Sequence, residues 1–398
     1  MTTQRVALYS SVGDRLTHYE VDVENAALLQ RETVSAPENV QYAWPHPSRE
    51  FLYVVSSTKG PREANPTEGS HSLSAFRIDR DTGALQPHGA KQPLPSRPIH
   101  VSLDDTANYA LTAYNNPSNI TVHRINADGT VGAPVRQPEN LEKGIFAHQV
   151  LMTPSHQVVI LVTRGNNPAA GKPEDPGALK LFRFGEGALS NAASIAPNDG
   201  YGFGPRHLDF HPTGPWAYVS LERQNQLQQF LLSGDSATWT PGSIVDTLSD
   251  RAHAKSRQLS GTVHVHPNGK TLYIANRADG LADWNGKQVF QGGENNIAVY
   301  AIDPRTGKPG LLQHVEARVP HVRTFAMDPG GRILVAAGIK GLPVRDGDHV
   351  VDMPTGLSVF RVAADGSLDF VRKYDIDTSG KLQFWMGVVG LSPVPARK

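Results

Sequence analysis

No cysteine occurs among the 398 residues, which excludes disulfides, thiolate metal sites and cysteine nucleophiles and accords with a reducing compartment. Net charge is missing as well, with Lys plus Arg and Asp plus Glu at 38 each. With no overall field to draw in polyanions, neither nucleic acid nor an anionic membrane surface is an expected partner. No apolar run approaches the roughly 20 residues that cross a bilayer. The opening residues MTTQRVALYSSVGDRLTHYE also lack a basic start followed by an apolar core. A cytoplasmic location follows as an expectation. What the chain has in quantity is turn formers, 37 Gly and 30 Pro spread along its length, as expected for many short strands joined by turns.

Those turns recur at a regular interval. The segments VQYAWPHPSREFLYVVSS, HLDFHPTGPWAYVSLE and TVHVHPNGKTLYIANR each read as strand, Pro-centred turn, strand, and IHVSLDDTANYALTAYN, QVLMTPSHQVVILVTR and TFAMDPGGRILVAAG repeat the pattern. Their turn residues, Pro47, Asp105, Pro154, Pro212, Pro267 and Pro329, are spaced by 49 to 62 residues, which suits a four-stranded propeller blade with variable loops. A third strand of alternating pattern follows each hairpin, as in LSAFRID, LKLFRFG and IAVYAID. A seventh copy is split between the chain ends: FWMGVVGLSP, turning at Pro393, supplies one strand, and VALYSSV and LTHYEVD supply the next two. The expected architecture is therefore all-β, one seven-bladed β-propeller over residues 1–398 with four-stranded antiparallel blades. The competing open array gives the ends no reason to complement each other. Insertions at 59–71, 165–178, 279–295 and 340–356 all fall between second and third strands, which places them on one rim.

The repeat is its own control, since a residue that departs from its slot needs an explanation other than structure. Six residues before the turn, the slot holds Gln41, Ile99, His148, Arg206, Gly261 and Arg323, with Val388, five before Pro393, taken as its seventh member; ten residues after the turn stand Ser57, Asn115, Arg164, Glu222, Arg277 and Ile339. Hairpin pairing brings both slots to the elaborated rim. Four guanidinium groups, an imidazole and a carboxylate then face one pore, as expected for a pocket that holds an anionic substrate through bidentate contacts. His148 and Glu222 are the candidates for proton transfer, the alternative for Glu222 being a rim-stiffening ion pair with Arg206 or Arg277. Arg164, Arg323 and Asn115 are candidate substrate contacts. His207 and His100, one step further along their strands, extend the channel wall.

Other signatures fail. His264 and His266 form an H-x-H pair, but His266-Pro267 repeats His46-Pro47 and His211-Pro212, a turn-entry position of the scaffold, and no further zinc-like ligand accompanies it. No metal or other cofactor is expected. Gly269-Lys270-Thr271 lacks the upstream glycine of a phosphate-binding loop, and neither G-x-S-x-G nor H-E-x-x-H occurs.

Over nearly its full length the chain resembles the 6-phosphogluconolactonase-like lactonase family of seven-bladed propellers, which also has a carboxymuconate-lactonizing branch. GPRHLDFHPTGPWAYVSLE (204–222) and VHVHPNGKTLYIANR (263–277) carry the resemblance most specifically, with weaker support from AHQVLMTP and RTFAMDPGGRILVAAG. By motif it implies that the channel His, two Arg and Glu fall on His148, Arg206, Arg277 and Glu222. It further implies cofactor-independent hydrolysis of an anionic or sugar-derived lactone, with cycloisomerisation or non-catalytic binding as alternatives.

Overall fold

The computed structural model describes residues 5–61, 63–169, 171–233 and 238–391. Seven four-stranded antiparallel sheets follow one another around a ring. Blades 1 to 6 span 39–93, 98–134, 147–195, 205–246, 258–316 and 322–375, and blade 7 joins Gln383–Gly390 to Val6–Val12, Arg15–Asp22 and Ala27–Ser35. The termini thus share a blade as the split repeat implies, and the first part of the chain supplies its outermost strand too. Each innermost strand packs on the next, and Gln383–Gly390 against Asn39–Pro45 completes the circle. Pro393 lies outside the described residues. Among those described, no helix is long and apolar enough to cross a membrane.

Apolar cores sit between neighbouring sheets. Val158, Ile160 and Val162 of blade 3, for example, pack on Leu208, Ala217 and Val219 of blade 4. Second strands such as Val158–Thr163 are buried on both faces, which is why they read as continuous apolar runs, while outermost strands such as Ala27–Ser35 are largely exposed. The sheets are also fastened by a recurring polar clamp. Tyr9, Tyr53, Tyr218 and Tyr273 each donate a hydroxyl hydrogen bond of 2.7–3.0 Å to a glycine carbonyl in the next blade: Gly83, Gly129, Gly307 and Gly366. At Gly307 φ is 69° and a Cβ would lie 2.3 Å from the Trp216 ring, so only glycine lets the turn approach closely enough. His266 acts similarly, with Nε2 on the Gly331 carbonyl at 2.9 Å and Nδ1 accepting from the Asn268 amide at 3.1 Å. Both its nitrogens are committed to the turn.

In each inner strand the pairing slips at one place near the mouth. The register with the second strand breaks at Gln41, Ile99, His148, Arg206 and Arg323, and across Gly261 and Thr262 in blade 5. A β-bulge leaves such a residue without a cross-strand partner and re-aims its side chain. The seventh slip lies between Gln383 and Met386, so the equivalent slot belongs to Phe384 rather than Val388. Val388 sits opposite Leu8, further from the mouth, because the chain break in blade 7 removes the turn from which the slot was counted.

Replacing Tyr218 by Phe leaves the buried Gly307 carbonyl without its donor, and a loss of about 1–2 kcal/mol in urea unfolding is expected. A variant within a few tenths of a kcal/mol of wild type would show that the clamp adds nothing.

Candidate active site

At the end of the channel where the inner strands begin lies a cavity of about 580 Å³. Bulge residues Gln41, Ile99, His148, Arg323 and Phe384 line it, as do second-strand ends Asn115, Arg164, Glu222, Arg277 and Ile339. Ser57 does not, its hydroxyl being bonded to His71 Nδ1 at 2.9 Å. The first, third and fourth insertions contribute Glu63, Asp279 and Lys340 to the wall. Among the described residues the second, 165–178, supplies no lining residue, and it is tied down by Glu174, which pairs with Arg223 at 3.0 Å.

Glu222 is the hub of one side. Only 2% exposed, it accepts hydrogen bonds from Arg164 Nη1 on Oε2 and from Arg277 Nη2 on Oε1, while Arg206 Nε lies 3.0 Å from Oε1. Burial alone would raise its pKa; the fields of Arg164, Arg277 and Arg206 overcome that and hold it at about 2. A carboxylate ionised throughout the physiological range with both oxygens engaged is a poor acid and a poor base. This geometry favours the ion-pair reading of Glu222 over proton transfer. Arg206 itself does not line the cavity: it is 1% exposed and lies behind Glu222.

His148 differs in every respect. It lines the cavity, is 5% exposed, and has no hydrogen-bond partner among the described residues. Burial, then the field of Arg206 and neighbouring His207, Arg323 and Arg164, pushes its pKa well below 6.5, so the ring is neutral at pH 7. His207 and His100, expected on the channel wall, do not reach the cavity. They continue below it as an edge-to-face row, with His148 to His207 centroids 5.0 Å apart and His207 to His100 6.0 Å, and His100 lies 4.1 Å from the Tyr42 ring. Burial pulls His100 down to about 3, and these rings serve as a packed neutral floor.

Slot counting missed a second imidazole. His321 precedes the inner strand of blade 6, adopts φ 49° and lines the cavity. Its Nε2 lies 3.2 Å from Arg277 Nη1, and its Nδ1 lies 3.6 Å from Asp279, which Arg257 grips at 2.7 and 2.6 Å. The chain Glu222, Arg277, His321, Asp279, Arg257 runs along one wall. Asp279 and Arg257 occupy loops whose lengths vary between blades, so no repeat register marks them. No group of three or more potential metal-ligating side chains occurs among the described residues.

The family model described as "Lactonase, 7-bladed beta-propeller" matches residues 4–341. A 6-phosphogluconolactonase of Bacillus subtilis is 25% identical over 342 residues, covering 83% of this chain and 86% of the relative. One from Pectobacterium carotovorum is 29% identical over 333 residues, with the same coverages. Among solved structures, a periplasmic gluconolactonase of Pseudomonas aeruginosa superposes with a TM-score of 0.74 at 20% identity, covering 98% of this chain and 100% of that one. A putative 6-phosphogluconolactonase of Bacteroides uniformis gives 0.71 at 19% identity, covering 97% and 99%.

Glu222→Gln should destabilise the protein at pH 7 by about 3–5 kcal/mol, because three guanidinium groups lose their counter-ion. The sign with pH follows from the depressed pKa: the stabilisation is complete above the unfolded carboxyl value near ~4.3 and is lost as pH falls toward about 2. Urea titrations should find the gap between variant and wild type closing below about pH 4. A gap independent of pH would contradict the ion-pair role.

Proposed function

The chain belongs to the seven-bladed β-propeller lactonase family, and from that premise we propose that it hydrolyses the ring ester of an anionic or sugar-derived lactone. The observation that carries this reading is the pairing of an unpartnered neutral His148 with a guanidinium cluster in one cavity. The names of the 6-phosphogluconolactonase relatives favour the same chemistry.

In this mechanism the ring carbonyl oxygen faces Arg277 and Arg164, whose positive charge stabilises the oxyanion that forms when water attacks. His148 accepts the proton released by that water as the new C–O bond forms. The tetrahedral intermediate collapses, the ring C–O bond breaks, and the imidazolium returns the proton to the departing alkoxide. Glu222 touches neither water nor ester; it fixes the guanidinium groups in place and so acts as a positioning residue. Arg206 supplies field from behind. The low pKa of His148 matters here, because a ring already protonated in this cationic site could not take the proton; the developing oxyanion offsets the Arg field just when the imidazolium forms. Neither metal nor organic cofactor takes part, and a cytoplasmic location belongs to the same reading.

His148→Ala should lower kcat for 6-phosphogluconolactone or glucono-δ-lactone by about 10²–10⁴-fold, followed as acid release with the spontaneous rate subtracted. A chelator should leave the wild-type rate unchanged. Because the pKa is depressed, kcat/KM should stay level from about pH 8 to about pH 6 with no inflection near the ordinary histidine value of ~6.5. An acidic limb centred there, or a His148→Ala variant as fast as wild type, would assign the base elsewhere.

A further inference from the structure

The Glu222 cluster occupies one sector of the ring, blades 3 to 5. The opposite sector, blades 6, 7 and 1, holds a second pair of guanidinium groups with a different electrostatic standing. Arg323, from the bulge of blade 6, lies over the Phe384 ring at 3.5 Å from its centroid and donates Nε to the Phe384 carbonyl at 2.9 Å. Arg97, in the loop leading into blade 2, reaches past blade 1 to lie over the same ring at 5.5 Å. Both line the cavity, at 4% and 7% exposure for Arg97 and Arg323.

Among the described residues neither has a carboxylate partner, and Nε and Nη2 of Arg97 are buried with no hydrogen-bond partner. The acidic group whose field reaches Arg97 is Glu63, and one of its oxygens already accepts the Gly60 amide at 2.8 Å. Burial draws the Arg97 pKa down to about 10, which still leaves it charged at neutral pH. A buried guanidinium without a counter-ion is strongly unfavourable in a fold, and two side by side more so. Packing does not explain them, since a Met or Leu would cover Phe384 without the charge. A ligand that brings the missing negative charge does, because planar guanidinium donors match phosphate and carboxylate oxygens.

We infer that Arg97 and Arg323, ranged over the Phe384 ring, form an oxyanion subsite that anchors a phosphate or carboxylate substituent of the substrate remote from its ring ester. The substrate then spans the cavity, its ester in the blade 3 to 5 sector beside His148 and its anionic tail in the opposite one. Gln41, on the same wall as Phe384 and with its amide Oε1 buried and unpartnered, is placed to accept a hydroxyl of the connecting chain. The identity of the ester end rests on the lactonase reading; the anion site does not.

The test has two parts. Calorimetric titration of the wild-type protein with inorganic phosphate, and separately with acetate, should detect binding, and the preferred anion tells phosphate from carboxylate as the natural substituent. Arg97→Met should weaken that binding at least about 10-fold, with Arg97→Lys intermediate because it keeps the charge and loses the fork. In turnover, the ratio of kcat/KM for 6-phosphogluconolactone over glucono-δ-lactone should fall about 10- to 100-fold in Arg97→Met. Its melting temperature should hold or rise, since the substitution removes an uncompensated buried charge and keeps apolar cover on Phe384, whereas the upward shift that phosphate confers on wild type should vanish. Unchanged phosphate binding in Arg97→Met, or equal losses on both lactones, would overturn the subsite. If neither lactone is hydrolysed while anion binding still depends on Arg97, the subsite stands and the lactonase reading falls.

Discussion

Closure of the ring by Gln383–Gly390 against Val6–Val12 is the constraint on which the rest depends. Seven sheets can present their mouth-side residues to one another only if the first and last blades are held at a fixed separation. The hydrogen-bonded ladder between the two ends of the chain does this without a covalent link. It also removes the edges that an open stack would expose. Side chains more than 200 residues apart in sequence, such as Arg97 and Phe384, become neighbours by this means alone. The tyrosine clamps carry the same constraint between four of the neighbouring pairs, a second-strand tyrosine bonding a glycine carbonyl of the following sheet.

On that frame the site is an exercise in unequal charge compensation. Cationic side chains outnumber Glu63, Glu222 and Asp279 around the cavity. Where the excess is shared out on Glu222, three guanidinium groups are locked into fixed directions and remain net positive, the condition for stabilising a transient oxyanion. Nearby imidazoles respond by staying neutral, each pushed down first by burial and then by the arginines. Fixed cations and a neutral base are therefore not two independent features. The field that suits the arginines to bind an anion also keeps His148 free to accept a proton.

Much of this was legible from the repeat. Blade spacing, the split seventh copy and the slots that hold His148, Arg164, Glu222, Arg277 and Arg323 follow from alignment of turns, because strand pairing converts equal offsets into equal heights in the channel. Alignment also marked His266 as scaffold, and the structure gives it two turn hydrogen bonds. What alignment could not convey is depth and company. His207 and His100 stand next to the bulge residues and lie beneath the wall, since the bulge turns one residue inward and its neighbours away, while Arg206, a bulge residue itself, is drawn behind the wall onto Glu222. Glu222 reads either as a proton-transfer group or as the carboxylate of an ion pair until both its oxygens are seen to be taken. Phe384 escaped because blade 7 has no turn between its first two strands from which to count. Arg97, His321, Asp279 and Arg257 escaped because they stand in connections whose lengths differ from blade to blade.

The division between strand and connection has a functional consequence. Residues assigned here to the reacting centre, His148, Arg164, Glu222 and Arg277, sit on inner and second strands or at their ends, where ladder geometry fixes them. Groups that shape the rest of the cavity, such as Arg97, Glu63 and Lys340, come from loops and insertions. Two insertions fold into hairpins of their own, Leu281–Trp284 with Lys287–Phe290 and Leu342–Asp346 with His349–Met353, and Arg345 of one lies 4.8 Å from the Trp284 ring of the other. Such loops can change length without disturbing the ring, since each begins and ends on adjacent, hydrogen-bonded strands. A centre held by strands and a cavity rim to which loops contribute Arg97, Glu63 and Lys340 can therefore diverge separately, although Arg323 and Phe384 of the opposite sector are themselves fixed by inner strands.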